Sequence, residues 1–333
     1  MIKIGVVGYG YWGPNIVRNF NSVEGAEVTA VCDKNIETLK KLTLSNPGLK
    51  TVTNVQDIVT SPEIDVVAVV TPVSTHFEIT KAALINWKHV FVEKPFTDTS
   101  AHAQELIEIA DKKHLKIMVD HTFLFTGAVK KIKELIDGEA LGKIYYYDST
   151  RVNLGLFQHD VNVIWDLAPH DFSIMSYIIH EAPVALSACG TCHVNDMENI
   201  AYINVFFQSN LLAHFNVNWI SPVKVRTTFI GGAKKMLVWD DVAADEKIKV
   251  YDKGFEVKST EGIHNLLVSY RTGDMWAPKI EQREALRFET QYFIDCIKNN
   301  TTPFNDGIAG LQVVKMLEAC KASIMNQGKM VAL

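Results

Sequence analysis

Ile2-Lys3-Ile4-Gly5-Val6-Val7-Gly8-Tyr9-Gly10-Tyr11-Trp12-Gly13 decides the fold, because a short β-rich apolar run enters a glycine-spaced turn and a helical pattern follows from Trp12 to Asn21. Each glycine has its own task in such a strand–turn–helix. Gly8 permits the tight turn, Gly10 lets backbone approach a pyrophosphate, and Gly13 lets the helix pack on the strand. The helix amino terminus then offers N–H groups and partial positive charge to phosphates. Tyr11 and Trp12 lie within this loop and join the candidate cofactor contacts. Asp33 ends the next strand candidate twenty residues beyond Gly13, where a carboxylate accepts bonds from both ribose hydroxyls. NAD is therefore expected over NADP, whose 2′-phosphate Asp33 would repel, although Lys34 beside it softens that preference.

Outward from this motif, β-rich runs at Ile2 to Gly8, Glu27 to Cys32, Val66 to Val70, His89 to Glu93 and Lys116 to Val119 alternate with helical stretches. The helix candidates are Trp12 to Asn21, Ile36 to Leu44, His76 to Asn86, and Ser100 to His114, the last with Ser100 as its expected cap. Such alternation predicts βαβ units and a parallel sheet. After His121 one helix, Gly127 to Ile136, gives way to strands at Lys143 to Arg151, Val184 to Cys189, Ile200 to Gln208, Leu211 to Asn218, Thr227 to Gly231, Met236 to Asp240 and Ile248 to Tyr251. Gly231 to Lys235 reads as a hairpin turn, and helices at Glu284 to Asn299 and Gly307 to Asn326 close the chain. The expected class is α/β, with a dinucleotide-binding domain over 1–121 and an α+β domain over 122–333 built on a large, mostly antiparallel open sheet.

With 333 residues, 47% of them hydrophobic, two cores can be filled. A formal net charge of −5 gives no global attraction to nucleic acid or anionic lipid, which leaves small molecules and copies of the chain as expected partners. The chain opens directly on a strand, so no secretory leader is expected, and no apolar run approaches the roughly 18 to 20 residues a membrane span needs. A cytoplasmic protein is expected. Five cysteines in so long a chain read as reduced thiols. Cys189-Gly190-Thr191-Cys192-His193 matches the haem-attachment pattern, but it continues the strand-like Pro183 to Ala188 and is taken as structural. No histidine–carboxylate spacing calls for a metal.

Glu93-Lys94-Pro95 ends the apolar run His89-Val90-Phe91-Val92 and so places an amine at the carboxyl edge of the sheet, where ligands bind. Thr71-Pro72 ends the strand before it, and Pro72 makes a rigid wall for the nicotinamide ribose. His76 is expected to cap its helix or touch the cofactor. Further on, Asp166-Leu167-Ala168-Pro169-His170 sets Asp166 and His170 four residues apart, on one face if helical, which asks Pro169 to fall in the first turn.

In their order and spacing these motifs resemble the Gfo/Idh/MocA oxidoreductases, and the resemblance covers essentially the whole chain. It implies an amino-terminal Rossmann domain, a second domain whose open sheet forms subunit interfaces of a homodimer or homotetramer, and hydride transfer between NAD(P) and a sugar or cyclitol carbon. By position, Lys94 matches the family's active-site lysine, Pro95 its cis proline, and Asp166 and His170 its aspartate and catalytic histidine. Glu93 falls on the cofactor side.

Oxidising a secondary alcohol needs a hydride acceptor and a base, and imidazole titrates near neutrality. His170 is accordingly the expected base, with Lys94 either hydrogen-bonding the reacting oxygen or yielding a proton itself; the sequence leaves that choice open. The polar stretch Arg151 to Asn162 reads as a substrate loop, with Arg151 for an anionic group and Asn153, Gln158 and Asn162 for vicinal hydroxyls. His121 and Phe123 would form the opposite wall. Trp165 and Tyr145-Tyr146-Tyr147 read as core or interface packing. The Trp165-preceded helix and its loop resemble family members acting at C3 of nucleotide-linked sugars. Oxidation of inositol or a free sugar is the alternative enzyme reading, and an NAD-sensing regulator is the alternative of another class.

Overall fold

The computed structural model describes residues 1–155, 158, 160–252, 254–257 and 268–333. The chain divides into two compact units, Met1–Phe125 with Arg283–Glu318, and Thr126–Gln282 with Ala319–Leu333.

In the first unit a six-stranded parallel sheet runs β3-β2-β1-β4-β5-β6. Its strands are β1 (Ile2–Val7), β2 (Ala26–Cys32), β3 (Lys50–Val52), β4 (Val66–Val69), β5 (His89–Glu93) and β6 (Ile117–Asp120). The order reverses between β1 and its two neighbours β2 and β4, which is the switch point where open α/β sheets bind ligands. Val66, Val67, Ala68 and Val69 are all 0% exposed, as expected of strands covered on both faces. Burying each of the three valines contributes about 1.5 to 3 kcal/mol. The helices between strands are α1 (Gly13–Asn21), α2 (Ile36–Ser45), α3 (Gln56–Val59), α4 (His76–Ile85) and α5 (Ser100–Lys113). Asn35 caps α2 by accepting from the Glu37 and Thr38 amides. The cap of α5 is Thr99, which accepts from His102 N, and not the expected Ser100. Ser100 already has helical backbone, and its amide donates instead to Glu318 Oε1 at 3.0 Å.

The second unit is built on a nine-stranded mixed sheet, whose long central strands are β7 (Ile144–Leu154), β10 (Leu212–Asn218) and β11 (Ile220–Gly232). Beside β10 run β9 (Ile200–Phe206), β8 (Ala185–Thr191) and the terminal β17 (Val331–Ala332); beside β11 run β12 (Met236–Asp240), β13 (Ile248–Tyr251) and β16 (Met275–Trp276). All these pairings are antiparallel except β7 with β10, which is parallel. The expected turn after Gly231 does join β11 to β12. A separate two-stranded ribbon pairs β14 (Gly254–Val257) with β15 (Val268–Arg271). Two helices, α6 (Gly127–Asp137) and α7 (Val163–Ile178), belong to this unit. Strand alternation sorts Tyr147 into the core at 1% exposed and leaves Tyr146 at 39%.

Of the closing helices, α8 (Ala285–Lys298) belongs wholly to the first unit, and α9 (Gly307–Met325) does so as far as Glu318. Sequence order alone had put everything after residue 121 in one domain. The reason for the difference is local: α8 packs its Phe293 on Phe91 of β5, ring centroids 5.9 Å apart, and Asn305 hydrogen-bonds β6 at Val119. All five cysteines are free thiols. Among the described residues, no helix is long and apolar enough to cross a membrane.

Candidate active site

The glycine loop is shaped by contacts that explain two glycines and leave the third to a ligand. Gly8 has φ of +101°, and a Cβ there would lie 2.2 Å from the Val70 carbonyl oxygen. A Cβ on Gly13 would come within 2.7 Å of the Gly8 carbonyl, so helix could not approach strand. Around Gly10 nothing lies within 4 Å, so the protein itself places no demand for glycine there. Open space over a loop at a helix amino terminus suits a dinucleotide's pyrophosphate. Tyr11 is 89% exposed beside it, and Pro14 occupies the first turn of α1, where a missing N–H costs nothing.

Asp33 stands where the sequence put it, just past the end of β2. Its Oδ2 accepts from the Tyr9 amide at 2.6 Å and its Oδ1 from the Asn35 amide at 2.7 Å, which fixes the carboxylate at the loop. Each carboxylate oxygen keeps a second lone pair for a ribose hydroxyl. Residues 8–13 and Asp33 thus fit a nicotinamide dinucleotide.

The loops after β4 and β5 are tied together. His76, 1% exposed, contacts the Thr71 carbonyl through Nε2 at 2.8 Å and the Pro95 carbonyl through Nδ1 at 2.9 Å, while Thr75 Oγ1 donates to Thr71 Oγ1 at 2.7 Å. Burial, assisted by the Lys94 charge, holds the imidazole's pKa below its ordinary value despite those carbonyl bonds. His76 is therefore a latch between the Thr71-Pro72 and Lys94-Pro95 turns, with no surface to offer a cofactor. The Lys94–Pro95 peptide is cis.

Lys94, partly exposed, follows β5, and its charge acts on Glu93 and on the buried His76 and His121. His121 is 1% exposed at the end of β6; burial first and Lys94 second push its pKa down to about 3, so it is a neutral imidazole. The reading of His121 as a substrate wall fails on that burial. Phe123, in the 3-10 turn Thr122–Phe125, is half-buried.

In the second unit α7 carries Asp166 and His170 four residues apart, hence on one face. Asn162 caps this helix: its Oδ1 accepts from Trp165 N at 3.0 Å and its Nδ2 donates to Glu198 Oε2 at 2.7 Å. These bonds make Asn162 a structural cap and leave it a poor candidate for substrate hydroxyls. Asp166 Oδ2 accepts from the buried Trp219 indole at 3.2 Å, which orients the carboxylate. Pro169 lies in the second turn, not the first as expected, so the helix forgoes one bond to the Trp165 carbonyl there.

Arg151 is also corrected. It is 3% exposed and forks onto Asp171, Nε to Oδ2 at 2.7 Å and Nη2 to Oδ1 at 2.9 Å, which pins α7 to β7 beside His170. It is a positioning residue with no face turned to an anionic ligand. Asn153 is half-buried in β7 and Gln158 is exposed, whereas Leu156, Phe157 and His159 of the expected substrate loop lie outside the described residues. Sequence reading missed Trp219, Glu198 and Asp171 because their partners lie 53, 36 and 20 residues away. It also missed Asp120 and Glu289, although Asp120 closing an apolar strand at the same sheet edge as Glu93 was a usable signal.

Residues 2–121 match the model of the oxidoreductase family with an NAD-binding Rossmann fold, GFO_IDH_MocA, and residues 129–238 match the GFO/IDH/MocA C-terminal domain. The chain is 24% identical over 322 residues to UDP-N-acetylglucosamine 3-dehydrogenase of Acidithiobacillus ferrooxidans, covering 94% of each. It is 26% identical over 200 residues to myo-inositol 2-dehydrogenase of Thermotoga maritima, covering 59% of this chain and 60% of that one. The fold matches a solved structure of the Acidithiobacillus enzyme with a TM-score of 0.83 at 21% identity, covering 98% of both chains. It matches an Agrobacterium radiobacter oxidoreductase in complex with NAD+, L-tartaric acid and magnesium with a TM-score of 0.82 at 17% identity, covering 99% of this chain and 98% of that one. With the glycine loop, the lysine at the sheet edge and the two domain matches in their expected order, the chain belongs to the Gfo/Idh/MocA family of NAD-binding oxidoreductases.

Proposed function

We propose that this protein is an NAD-dependent oxidoreductase acting at a secondary alcohol or ketone carbon of a sugar, specifically C3 of a nucleotide-linked sugar. The observation that carries the reaction class is Lys94 at the carboxyl edge of a sheet whose glycine loop fits a dinucleotide. Support for the substrate comes from the 3-dehydrogenase relative, similar over 94% of this chain. NAD is favoured over NADP by Asp33, whose fixed carboxylate would repel a 2′-phosphate.

Bound nicotinamide supplies the hydride acceptor or donor. Lys94 donates a hydrogen bond to the reacting oxygen, His170 takes the hydroxyl proton on oxidation and returns it on reduction, and Asp166, steadied by Trp219, binds a neighbouring hydroxyl or orients the imidazole. The second unit supplies the substrate groups and, through its sheet, a contact between copies of the chain.

The test is absorbance of reduced cofactor after adding NAD to the purified protein with UDP-GlcNAc, related nucleotide sugars, inositol and free hexoses. Turnover is expected with a nucleotide sugar, and Lys94→Ala or His170→Ala should lower kcat by about 10²- to 10⁴-fold. Unchanged turnover in both variants would overturn the assignment. Turnover with inositol alone would move the substrate to the reading that the myo-inositol 2-dehydrogenase relative favours.

A further inference from the structure

Three carboxyl groups cluster at one end of the parallel sheet. Glu93 and Asp120 are direct neighbours at the carboxyl ends of the parallel strands β5 and β6. Glu289 reaches them from α8 and is 0% exposed; Asp120 is 2% exposed. One oxygen of each, Glu93 Oε1, Asp120 Oδ1 and Glu289 Oε2, is buried with no N–H or hydroxyl donor among the described residues. Carboxylate oxygens only accept, so three ionised groups here would repel one another in a medium that screens little. A proton on an outer acid turns each repulsive contact into a short charge-assisted hydrogen bond. Both outer acids hold their protons well above the usual carboxylate range, because burial, reinforced by Asp120, disfavours their charge.

Asp120 is the shared acceptor, and its second oxygen faces the cofactor loop. Asp120 Oδ2 accepts from Trp12 Nε1 at 3.2 Å, and Trp12 is the residue from which α1 starts. The other groups around the cluster are Lys94 on β5, His121 and the Thr122 hydroxyl after β6, and Asn305, whose Nδ2 donates to Glu289 Oε1 at 3.1 Å.

We propose that Asp120 is a positioning residue for the dinucleotide: it fixes Trp12 at the mouth of the glycine loop, with Glu93 and Glu289 packed beside it. Nicotinamide-dinucleotide affinity is thereby coupled to the buried acid cluster. The proposal rests on the dinucleotide-binding reading of the loop but not on any sugar.

The experiment is a fluorescence titration of the purified full-length protein with NADH and NADPH from pH 6 to 10, for the wild type, W12F, D120N, the W12F/D120N double variant and E289Q. At pH 7, W12F and D120N should each weaken binding of the preferred dinucleotide about tenfold, as loss of a hydrogen bond to a charged group implies. The double variant should be no weaker than either single one, because both remove the same contact. E289Q keeps a neutral donor toward Asp120, so it should bind within about threefold of wild type at pH 7. It should also lose less affinity than wild type toward pH 10. Trp12 is only half-buried, so W12F keeps the test informative should D120N fail to fold. Wild-type affinity in W12F and D120N, additive losses in the double variant, or an E289Q profile identical to wild type would each overturn the proposal. Failure of the wild type to bind either dinucleotide would overturn the cofactor reading itself.

Discussion

In the second unit Arg151 meets Asp171 in a forked pair with side chains 4% and 2% exposed, whereas in the first unit three acids, Glu93, Asp120 and Glu289, crowd together beside Lys94. Both clusters are buried, yet their chemistry differs. The forked pair satisfies its charges internally and asks nothing of a ligand, so its work is to pin the helix that carries His170. The acid cluster relieves its mutual repulsion by holding protons, and it sits at strand ends and bonds Trp12 of the glycine loop. A buried charge with its geometry complete therefore marks scaffold, and one completed by protons marks the neighbourhood of chemistry.

Breaking the scaffold pair should have the largest effect on stability. Asp171→Ala leaves the Arg151 guanidinium buried without its forked carboxylate and should cost about 3 to 5 kcal/mol, read as a lowered midpoint in urea. Replacing both partners, with Arg151→Met and Asp171→Leu, should recover most of that loss because no charge then remains buried at the pair. A double variant as unstable as the single one would show that the pair itself, and not the stranded charge, is what matters.

These clusters also show where sequence reading stops. The parallel sheet, the glycine loop and Asp33 were legible because each rests on local spacing: strand period, glycine positions and one carboxylate at a strand end. That Asp166 and His170 share one helix face was legible for the same reason, the two being four residues apart. Arg151 was misread, since a cation next to a polar loop looks like an anion site until its partner, twenty residues on, is seen on the helix packed against it. Glu289 was invisible, because nothing in its own helix says that it will be buried beside Asp120, 169 residues earlier in the chain. Local rules do not encode which surfaces meet.

The pH dependence of stability should separate the groups within the first unit by sign. His121 is neutral when folded, with a pKa of about 3, but takes a proton near 6.5 when unfolded. Its contribution is complete above pH 6.5 and is lost as pH falls toward 3, at up to about 1.4 kcal/mol per pH unit. Between pH 7 and 5 the wild type should lose about 2 kcal/mol that His121→Phe retains, measured as the difference in unfolding free energy. Glu93 and Glu289 act in the opposite sense. Their folded pKa is raised above the ordinary 4.5, so their contribution is whole below pH 4.5 and is lost as pH rises through the folded value. Glu289→Gln should therefore flatten the alkaline limb and leave the acid limb alone. Equal changes on both limbs would mean that the variant had loosened the unit as a whole.

The smallest effect belongs to an ion pair of the same chemistry as Arg151 with Asp171, placed in water. Arg18 on α1 donates to Glu284 Oε1 at 2.5 Å, with side chains 59% and 44% exposed, and Asn19 Nδ2 donates to the same oxygen at 3.3 Å. The pairing holds the Glu284 carboxyl below its usual pKa, chiefly through the Arg18 hydrogen bond. Solvent competes for both charges, so Arg18→Met should cost less than about 1 kcal/mol and the difference should vanish in 1 M salt, where the screening length is about 3 Å. The buried pair should keep its full cost at that salt concentration, because water and ions do not reach it. A surface pair as costly to break as Asp171, or a buried pair equally sensitive to salt, would show that burial is not what separates the two.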